Sequence, residues 1–442
     1  MMNWRQLLCS DRLDQKPDAA GPSRSAFEQD YDRIIFSHPF RKLQDKTQVH
    51  PLPEHDFVHT RLTHSLEVSS VGRSLGKKAG EIILQRYPEL EKEFSLFDFG
   101  AIVAAASLAH DLGNPPFGHA GEDALSDFFL HHQNGIAFKP FVRDEQWADL
   151  TNFEGNAQGF RLLNKKQYGL KLTAATLGAF TKYPCPAHFP SRNKRRKSQK
   201  KFGFFESEKI IFNSIADQLG LINQESNVWC RHPLAFLVEA ADDICYSIID
   251  LEDGCRLGLI TLEETIDLMA SILKEKFDRE KLGRHSSLNE KLGVLRSLVI
   301  GKLVDECTQL FADQEQAILN GTFDLALTDQ IRSSEALETI SKISIQKIYQ
   351  ARSVVEIEAS GHKVLPGLLD EFVATGKSVQ QGSASRKYRN LQLLLPEDVR
   401  WEVEENKNDA YLMLRLIVDF ISGLTDRHAL SLYRKLNGIS NY

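Results

Sequence analysis

The stretch FGAIVAAASLAHD, residues 99–111, joins a run of small and apolar residues to a histidine and an aspartate. A run of this composition predicts a buried helix, with His110 and Asp111 at the point where the helix ends. An imidazole and a carboxylate side by side in a buried position are costly unless a third group compensates both. A divalent metal ion does so, because it accepts a neutral imidazole nitrogen and an ionised carboxylate oxygen together.

Two further candidate ligands lie in other helix-like segments. His64 stands in RLTHS at 61–65, and Asp242 stands in EAADDI at 239–244. A histidine–aspartate pair alone often arises by chance. The four-part pattern of histidine, histidine–aspartate and aspartate is far more specific, since every part lies on a helix-like segment. These four side chains are therefore candidate ligands of a divalent cation.

The overall composition is that of an ordinary soluble globular protein, with 442 residues, 42% of them hydrophobic and 26% charged. The net charge of −6 gives no general attraction for nucleic acid or an anionic membrane, so any anion site must be local. No apolar run reaches the length that crosses a bilayer, and the first residues lack the apolar region of a signal peptide. Six scattered cysteines indicate free thiols. We therefore expect a cytoplasmic protein with no membrane partner.

Helical periodicity dominates the chain and predicts an all-α fold. Three parts are expected along it. An N-terminal arm covers 1–30, of which 9–30 resembles a loose tail. A helical core over 31–260 carries every motif discussed here, and additional C-terminal helices over 261–442 pack on that core.

Finer boundaries follow from the same patterns. Two irregular stretches are expected to form loops, namely 131–150 and 184–203. The C-terminal region is expected to form helices over 262–276, 333–352 and 408–436. A polar stretch with glycine and serine at 375–386 predicts a break between helices.

The helix predicted between Pro233 and Leu251 carries its acidic residues on one side. At about 100° per residue, one narrow stripe holds Glu239, Asp242, Asp243, Tyr246 and Asp250. Acids of an amphipathic surface helix would face water, which is the commoner case. The narrow stripe and the absence of interleaved lysines instead favour a polar cavity. The spacing does not separate Asp242 from Asp243 as the metal ligand.

The segment GNPPFGHAGE at 113–122 follows the histidine–aspartate pair. Its glycines and prolines stiffen a turn, and a helix is predicted to begin near His119 with Glu122 one turn later. A carboxylate in that position can orient an imidazole for general acid–base catalysis. The alternative is a histidine that caps a helix and a solvated glutamate; beside a metal centre, catalysis is the better interpretation. The segment NFEGNAQG at 152–159 offers amides for phosphate or sugar oxygens.

The order of the four candidate ligands resembles the HD superfamily of metal-dependent phosphohydrolases. GNPPFGHAGE, NFEGNAQG and EAADDICY closely resemble the bacterial deoxyguanosine triphosphate triphosphohydrolase (dGTPase) family. The match extends to KTQV at 46–49, RLTH at 61–64 and ISGLTD at 421–426. It is dense from 31 to 260 and sparse between 260 and 400.

This resemblance implies an HD-type core and a specific reaction. Water would cleave a dNTP, dGTP preferred, at the α-phosphorus to give a deoxynucleoside and tripolyphosphate. The ligands of one divalent metal ion per subunit would be His64, His110, Asp111 and Asp242. Mn²⁺ or Mg²⁺ would be typical, with Fe²⁺, Co²⁺ or Ni²⁺ as alternatives. His119 and Glu122 match the catalytic pair, although the sequence leaves open whether His119 acts as acid or base.

The same resemblance implies positions for the substrate. Those associated with the triphosphate are Arg61, Asn156, Lys182, Tyr183 and Lys201. Those near the deoxyribose are Gln48, Tyr246 and Asp250. A glutamate that contacts the base is matched loosely by Glu358.

Other functions stay open on the sequence. Another HD-superfamily nucleotide phosphohydrolase, such as a 5′-nucleotidase or a phosphodiesterase, would carry a similar metal site. A regulator that binds a nucleotide or nucleic acid is the alternative from another class. The basic run RNKRRKSQKK at 192–201 is its main support and would suit single-stranded nucleic acid, although such runs are usually solvated loops.

Relatives of this family form homo-oligomers, hexamers among them, so a homo-oligomer is also expected.

Overall fold

The computed structural model describes residues 1–13, 24–48, 59–382 and 385–439. In this part of the chain almost all regular structure is helical, which confirms the all-α prediction. Its two strands, β1 (Asn223–Glu225) and β2 (Val228–Trp229), are short and pair antiparallel. None of the described helices is both long enough and apolar enough to cross a membrane.

The first half of the described chain contains the helices that carry most of the predicted motifs. In chain order they are α1 (Trp4–Leu7), α2 (Ala26–Ile35), α3 (His38–Lys42), α4 (Arg61–Arg86), α5 (Leu96–Ala109), α6 (Gly118–His131), α7 (Gln133–Ile136), α8 (Asp144–Thr151), α9 (Gly155–Asn164), α10 (Ala174–Phe180), α11 (Lys209–Gln218) and α12 (Ala235–Arg256).

The second half continues with helices of very different lengths. They are α13 (Leu262–Leu273), α14 (Arg279–Gly283), α15 (Leu288–Asp313), α16 (Glu315–Leu319), α17 (Ser334–Ser344), α18 (Arg352–Gln380), α19 (Arg386–Gln392), α20 (Glu397–Glu405), α21 (Ala410–Ser422) and α22 (Asp426–Leu436). A π-helical turn, Ile345–Tyr349, separates α17 from α18.

Helices α4 and α5 pack antiparallel along a seam of small residues. A Cβ atom at Gly76 of α4 would lie 2.7 Å from the backbone oxygen of Phe99, so only glycine permits this approach. The Ser69 hydroxyl donates to the Ala104 carbonyl, 2.8 Å away, across the same seam. The antiparallel arrangement brings the start of α4 beside the end of α5. The two segments predicted to carry metal ligands are therefore neighbours.

Two large apolar clusters support the site. The first contains α4, α5 and α12 together with α13, α15 and α17. The second joins α6 to α18, α21 and α22. The turn between α5 and α6 lies where these clusters meet, so elements far apart in sequence determine its position.

The N-terminal segment differs from the predicted loose tail. Met2, Trp4 and Leu7 are buried in the first cluster. Arg12 and Asp30 form a buried ion pair at 2.5 Å, which fixes the chain before α2. The prediction of a tail over 9–30 is thus wrong for 9–13 and 24–30, and residues 14–23 lie outside the described part. Helix α1 is too short for its apolar residues to show a helical period, so the sequence did not predict its burial.

Several predicted boundaries also need correction. The stretch 131–150 contains α7 and most of α8 and is not a simple loop, whereas 184–203 is irregular as expected. The expected break at 375–386 begins only after α18 ends at Gln380, because the small residues near its end pack closely on α21. The helix predicted over 408–436 is two helices, α21 and α22, separated at 423–425.

Replacing Trp4 by alanine tests whether the N-terminal segment belongs to the core. The indole packs near Phe99 and Phe311 and donates to Glu315 at 2.7 Å. We expect Trp4→Ala to lower the free energy of unfolding by about 3–5 kcal/mol, measured by urea denaturation. Phe36→Ala, a change at an aromatic residue that is 73% exposed, is the matched control and should cost about 0.5 kcal/mol or less. Equal effects of the two changes would contradict this assignment.

Candidate metal centre and substrate pocket

Three helices bring the four predicted metal ligands together. α4 supplies His64, the end of α5 supplies His110 and Asp111, and α12 supplies Asp242. The Nε2 atoms of His64 and His110 lie 3.3 and 3.4 Å from the same carboxylate oxygen, Oδ1 of Asp242. Donor atoms of His64, His110 and Asp111 lie within 4.8 Å of one another. The convergence that the sequence pattern predicted is therefore present.

The chemistry of these donors fits a divalent cation. Nδ1 of His110 donates to the Ser107 carbonyl at 2.7 Å, so a neutral imidazole presents an unprotonated Nε2. That Nε2 atom is buried and has no hydrogen-bond partner among the described residues. It faces carboxylate oxygens of Asp111 and Asp242, each 3.4 Å away. Lone pairs directed at one another repel unless a cation lies between them. Two imidazoles with two carboxylates are a ligand set that suits a divalent first-row transition metal or Mg²⁺.

Two basic side chains hold the remaining oxygens of the carboxylates. Lys182 Nζ contacts Asp242 Oδ2 at 2.6 Å, and Arg61 Nη1 donates to Asp111 Oδ2 at 2.8 Å. Burial disfavours the ionised form of Asp111, but His110 and Arg61 outweigh burial and hold its pKa well below the usual range. The pKa of Asp242 is lowered against the same burial, chiefly by Lys182. Both carboxylates are thus ionised and oriented as metal ligands require.

His119 and Glu122 form the predicted pair at the start of α6. Nδ1 of His119 lies 2.8 Å from Glu122 Oε2, and Glu122 Oε1 accepts the backbone N–H of Gly155 at 2.7 Å. The His119 side chain is 83% exposed, whereas that of Glu122 is buried. Burial would raise the pKa of Glu122, but His119 and a neighbouring lysine lower it overall. An ionised, fixed glutamate therefore orients a solvent-accessible imidazole.

The turn before α6 has a demanding backbone. Phe117 and Gly118 have φ values of +65° and +58°, consecutive left-handed conformations that a non-glycine residue rarely adopts. The Phe117 N–H donates to Asp426 at 3.1 Å, and the buried Lys46 ammonium donates to the Asn114 carbonyl. Two charged groups from opposite ends of the chain thus hold the turn that presents His119.

A cavity of about 570 Å³ opens over these groups, a size suited to a nucleotide. Of the predicted site residues, those that line it are Gln48, Arg61, His64, His110, Asp111, His119, Asn156, Lys182, Tyr183, Lys201, Asp242, Tyr246 and Glu358. Glu122 lies behind His119. Asp250 does not line the cavity itself, and its expected position near a deoxyribose stays a prediction.

Asp250 reaches the cavity through a tyrosine that the sequence analysis did not identify. The Tyr349 hydroxyl donates to Asp250 Oδ2 at 2.7 Å, and its ring stacks on Tyr246 with centroids 5.6 Å apart. Burial raises the pKa of Asp250 to about 8. Tyr349 ends the π-helical turn, and π-turns often occur at functional sites. Its surrounding sequence resembles an ordinary helix, so no signal marked it.

Some side chains of the acidic stripe of α12 line the cavity, and one is buried against another segment of the protein. Asp242, Asp243 and Tyr246 line the cavity, as the cavity interpretation predicted. Glu239 instead forms a buried ion pair with Arg231 at 2.7 Å. A helical period gives the direction of each side chain but cannot show whether a basic partner from another segment meets it.

The basic run 192–201 forms a fixed loop in the structure. Arg192 donates to backbone carbonyls within its own loop, one of them that of Lys201 at 2.6 Å. Arg196 and Lys197 pair with aspartates of the segment between α16 and α17. A freely solvated loop is therefore the wrong description of Arg192, Arg196 and Lys197, whereas Lys194, Arg195 and Lys200 are exposed. The run reaches the cavity at its end, through Lys200 and Lys201.

Two further polar residues belong to the site although no role was predicted for them. Asn114 donates to Asp111 Oδ1 at 2.6 Å. Glu154 accepts from the side-chain amide of Asn156 at 2.7 Å. Both stand inside the motifs GNPPFGHAGE and NFEGNAQG, so the motifs themselves were the available signal.

Comparison with known protein families places the site in a wider context. The HD domain model matches residues 61–149, which carry His64, His110, Asp111 and the His119–Glu122 pair. The phosphohydrolase-associated domain model matches residues 329–435. The fourth ligand, Asp242, lies between the two matched ranges.

Full-length relatives agree with these matches. A deoxyguanosinetriphosphate triphosphohydrolase-like protein of Synechocystis is 42% identical, with 99% of this chain and 100% of the relative covered. A protein of the same description from Pseudomonas aeruginosa is 38% identical, with 100% of each covered. A deoxyguanosinetriphosphate triphosphohydrolase of Yersinia pseudotuberculosis is 31% identical, with 98% of this chain and 99% of the relative covered. With its HD signature and full-length similarity, the chain belongs to the deoxyguanosinetriphosphate triphosphohydrolase-like family of HD-domain hydrolases.

Proposed function

We propose that this enzyme hydrolyses deoxynucleoside triphosphates, dGTP preferred, to the deoxynucleoside and inorganic tripolyphosphate. The observation that carries the proposal is a cluster of buried His64, His110 and Asp111 with the partly exposed Asp242, which shares one cavity with the exposed His119 imidazole. A metal centre beside an oriented acid–base residue is the arrangement that phosphoryl hydrolysis needs. The printed names of the relatives specify this substrate class for those proteins.

His64, His110, Asp111 and Asp242 would hold the divalent ion. When bound, Mn²⁺ or Mg²⁺ would supply Lewis-acid polarisation of the α-phosphoryl group. Four protein ligands leave room in an octahedral shell for oxygens that do not come from the protein. The identity of the ion as Mn²⁺ or Mg²⁺ belongs to the proposal.

Basic side chains at the cavity wall would bind the triphosphate. Lys182 and Lys201 both line the cavity, and Arg61 lies between the metal ligands and the α6 turn. Charge-assisted hydrogen bonds from such groups are strong in a partly desolvated site. The amide of Asn156 and the hydroxyl of Tyr183 would complete this subsite.

His119 would transfer the proton that the leaving group requires. Glu122 accepts the hydrogen of Nδ1, so Nε2 is the ring atom available to the cavity. We assign the role of general acid to the imidazolium form of His119: Nε2–H protonates the 5′-oxygen as the bond from that oxygen to the α-phosphorus breaks. The attacking water loses a proton to solvent, and the neutral ring takes one back from solvent before the next turnover. The ionised Glu122 and its Gly155 contact hold the ring in place during this step.

The far end of the cavity would select sugar and base. Tyr246 and Tyr349 stack on each other at the cavity wall and offer a surface for a sugar, and Gln48 also lines the cavity. Glu358 of α18 lines the cavity with a carboxylate that only accepts hydrogen bonds. Guanine presents two adjacent donors, N1–H and the 2-amino group, which match such an acceptor. Glu358 thus supports the preference for dGTP.

The assembly and the cell compartment follow from the family and the composition. We expect a homo-oligomer in the cytoplasm, where the six free cysteines would stay reduced. Binding of single-stranded nucleic acid by exposed parts of the basic loop remains a separate prediction.

Product analysis tests the proposed reaction. Purified enzyme is incubated with each of the four dNTPs and Mn²⁺, and the products are resolved by anion-exchange chromatography. We expect intact tripolyphosphate and a deoxynucleoside in equal amounts, fastest with dGTP. Release of orthophosphate or pyrophosphate, or turnover only of monophosphates or diesters, would instead indicate another HD phosphohydrolase activity.

Replacing His119 by alanine tests the acid role. We expect kcat to fall by about 10²–10⁴-fold, because proton transfer to the leaving oxygen is lost. Metal content, measured by atomic emission, should stay unchanged, since His119 is not a ligand. His131→Ala removes another exposed histidine of the same helix and is the matched control. Full activity of His119→Ala would refute the role.

A further inference from the structure

Two buried glutamates share one lysine beside the catalytic pair. Lys201 Nζ lies 3.3 Å from the Glu154 carboxylate and 3.7 Å from Glu122 Oε2. The same Glu122 oxygen contacts His119. Both carboxylates also accept backbone N–H groups at the start of α9, Glu122 from Gly155 and Glu154 from the next residue. We call Glu122, Glu154 and Lys201 the carboxylate–lysine triad.

The triad depends on its lysine for charge balance. Two like charges in one buried site oppose each other's ionisation unless a cation lies between them. Burial and the neighbouring Glu122 raise the pKa of Glu154, and Lys201 opposes that rise. Burial would lower the pKa of Lys201, but the two carboxylates outweigh burial and raise it. Removing the lysine charge would therefore favour binding of a proton by the two glutamates.

Lys201 is also the member of the triad that faces the cavity. Its side chain is 30% exposed, whereas those of Glu122 and Glu154 are 10% and 7% exposed. A triphosphate in the cavity would compete with the glutamates for this ammonium group. Other titratable groups near the triad are His119, which contacts Glu122, and Lys182 and Tyr183.

From this geometry we propose that Lys201 couples triphosphate binding to proton uptake. In the free enzyme the Lys201 ammonium group lies between Glu122 and Glu154 and favours the ionised form of both. When it turns towards bound phosphates, Glu154 takes up one proton from solvent, while Glu122 stays ionised beside His119. The inference rests on the proposed function. Glu154 then acts as a positioning residue, because it sets the charge beside the general acid without touching the substrate.

Proton uptake on binding tests the coupling without turnover. Inorganic tripolyphosphate with Mn²⁺ is titrated into the enzyme by calorimetry in buffers of different ionisation enthalpy. Tripolyphosphate is the expected product, so the proposed reaction does not consume it. The wild type should take up as much as about one proton per subunit beyond the ligand's own contribution. Its affinity should then fall by as much as about tenfold for each pH unit in the linked range.

Variants identify the groups involved. In Lys201→Met the glutamates have no lysine partner either before or after tripolyphosphate binds. Binding should therefore cause no proton uptake beyond the ligand's own contribution. Glu154→Gln leaves a single carboxylate and should also lose most of the uptake. This variant carries the test if Lys201→Met no longer binds tripolyphosphate. Lys194→Met removes an equal charge from an exposed position of the same loop that does not line the cavity, and should behave like the wild type.

The outcomes separate this inference from the proposed function. Equal proton uptake by the wild type and Glu154→Gln would overturn the coupling, even if the wild type releases tripolyphosphate from dGTP. If the wild type neither binds tripolyphosphate nor releases it from dGTP, the proposed function fails and the coupling fails with it. A pH profile of kcat that shifts in Glu154→Gln while thermal stability is retained would support a positioning role. A loss of stability alone would count against it.

Discussion

The organisation of this enzyme depends on compensating several buried charges at one point. Two imidazoles and two carboxylates meet at the junction of α4, α5 and α12, beside a large apolar cluster. Bringing these four groups so close is unfavourable unless a metal ion lies between them. Arg61 and Lys182 compensate only the carboxylate oxygens that point away from the histidines. The glycine seam of α4, the alanine-rich α5 and the acidic stripe of α12 all serve this convergence.

The same principle continues away from the metal centre. Behind His119, buried glutamates are balanced by Lys201, and the α6 turn is held by Lys46 and Asp426 from opposite ends of the chain. Each of these basic groups either faces the cavity or fixes a segment that does. Charge balance thus links the cavity, the His119–Glu122 pair and the C-terminal helices that support the turn.

Sequence predicted the parts of this arrangement that local patterns encode. The apolar run before His110 and the helical period around Asp242 predicted the two helices, and the resemblance to the HD superfamily selected Asp242 over Asp243. The place of Tyr349 at the cavity and the anchoring of Arg192 were not predicted, because both depend on contacts that the spacing of neighbouring residues does not show. The buried N-terminal helix escaped for a related reason, since four residues are too few to show a period.

Mn²⁺ affinity in two neighbouring variants tests the central claim most directly. Asp242 and Asp243 are adjacent on α12 and both line the cavity, but only Asp242 contacts the two histidines. Titration monitored by electron paramagnetic resonance should show that Asp242→Asn weakens Mn²⁺ binding by about a hundredfold or more. Asp243→Asn should bind the ion nearly as the wild type does. Equal affinity in both variants, or greater loss in Asp243→Asn, would contradict a cation held at the convergence of α4, α5 and α12.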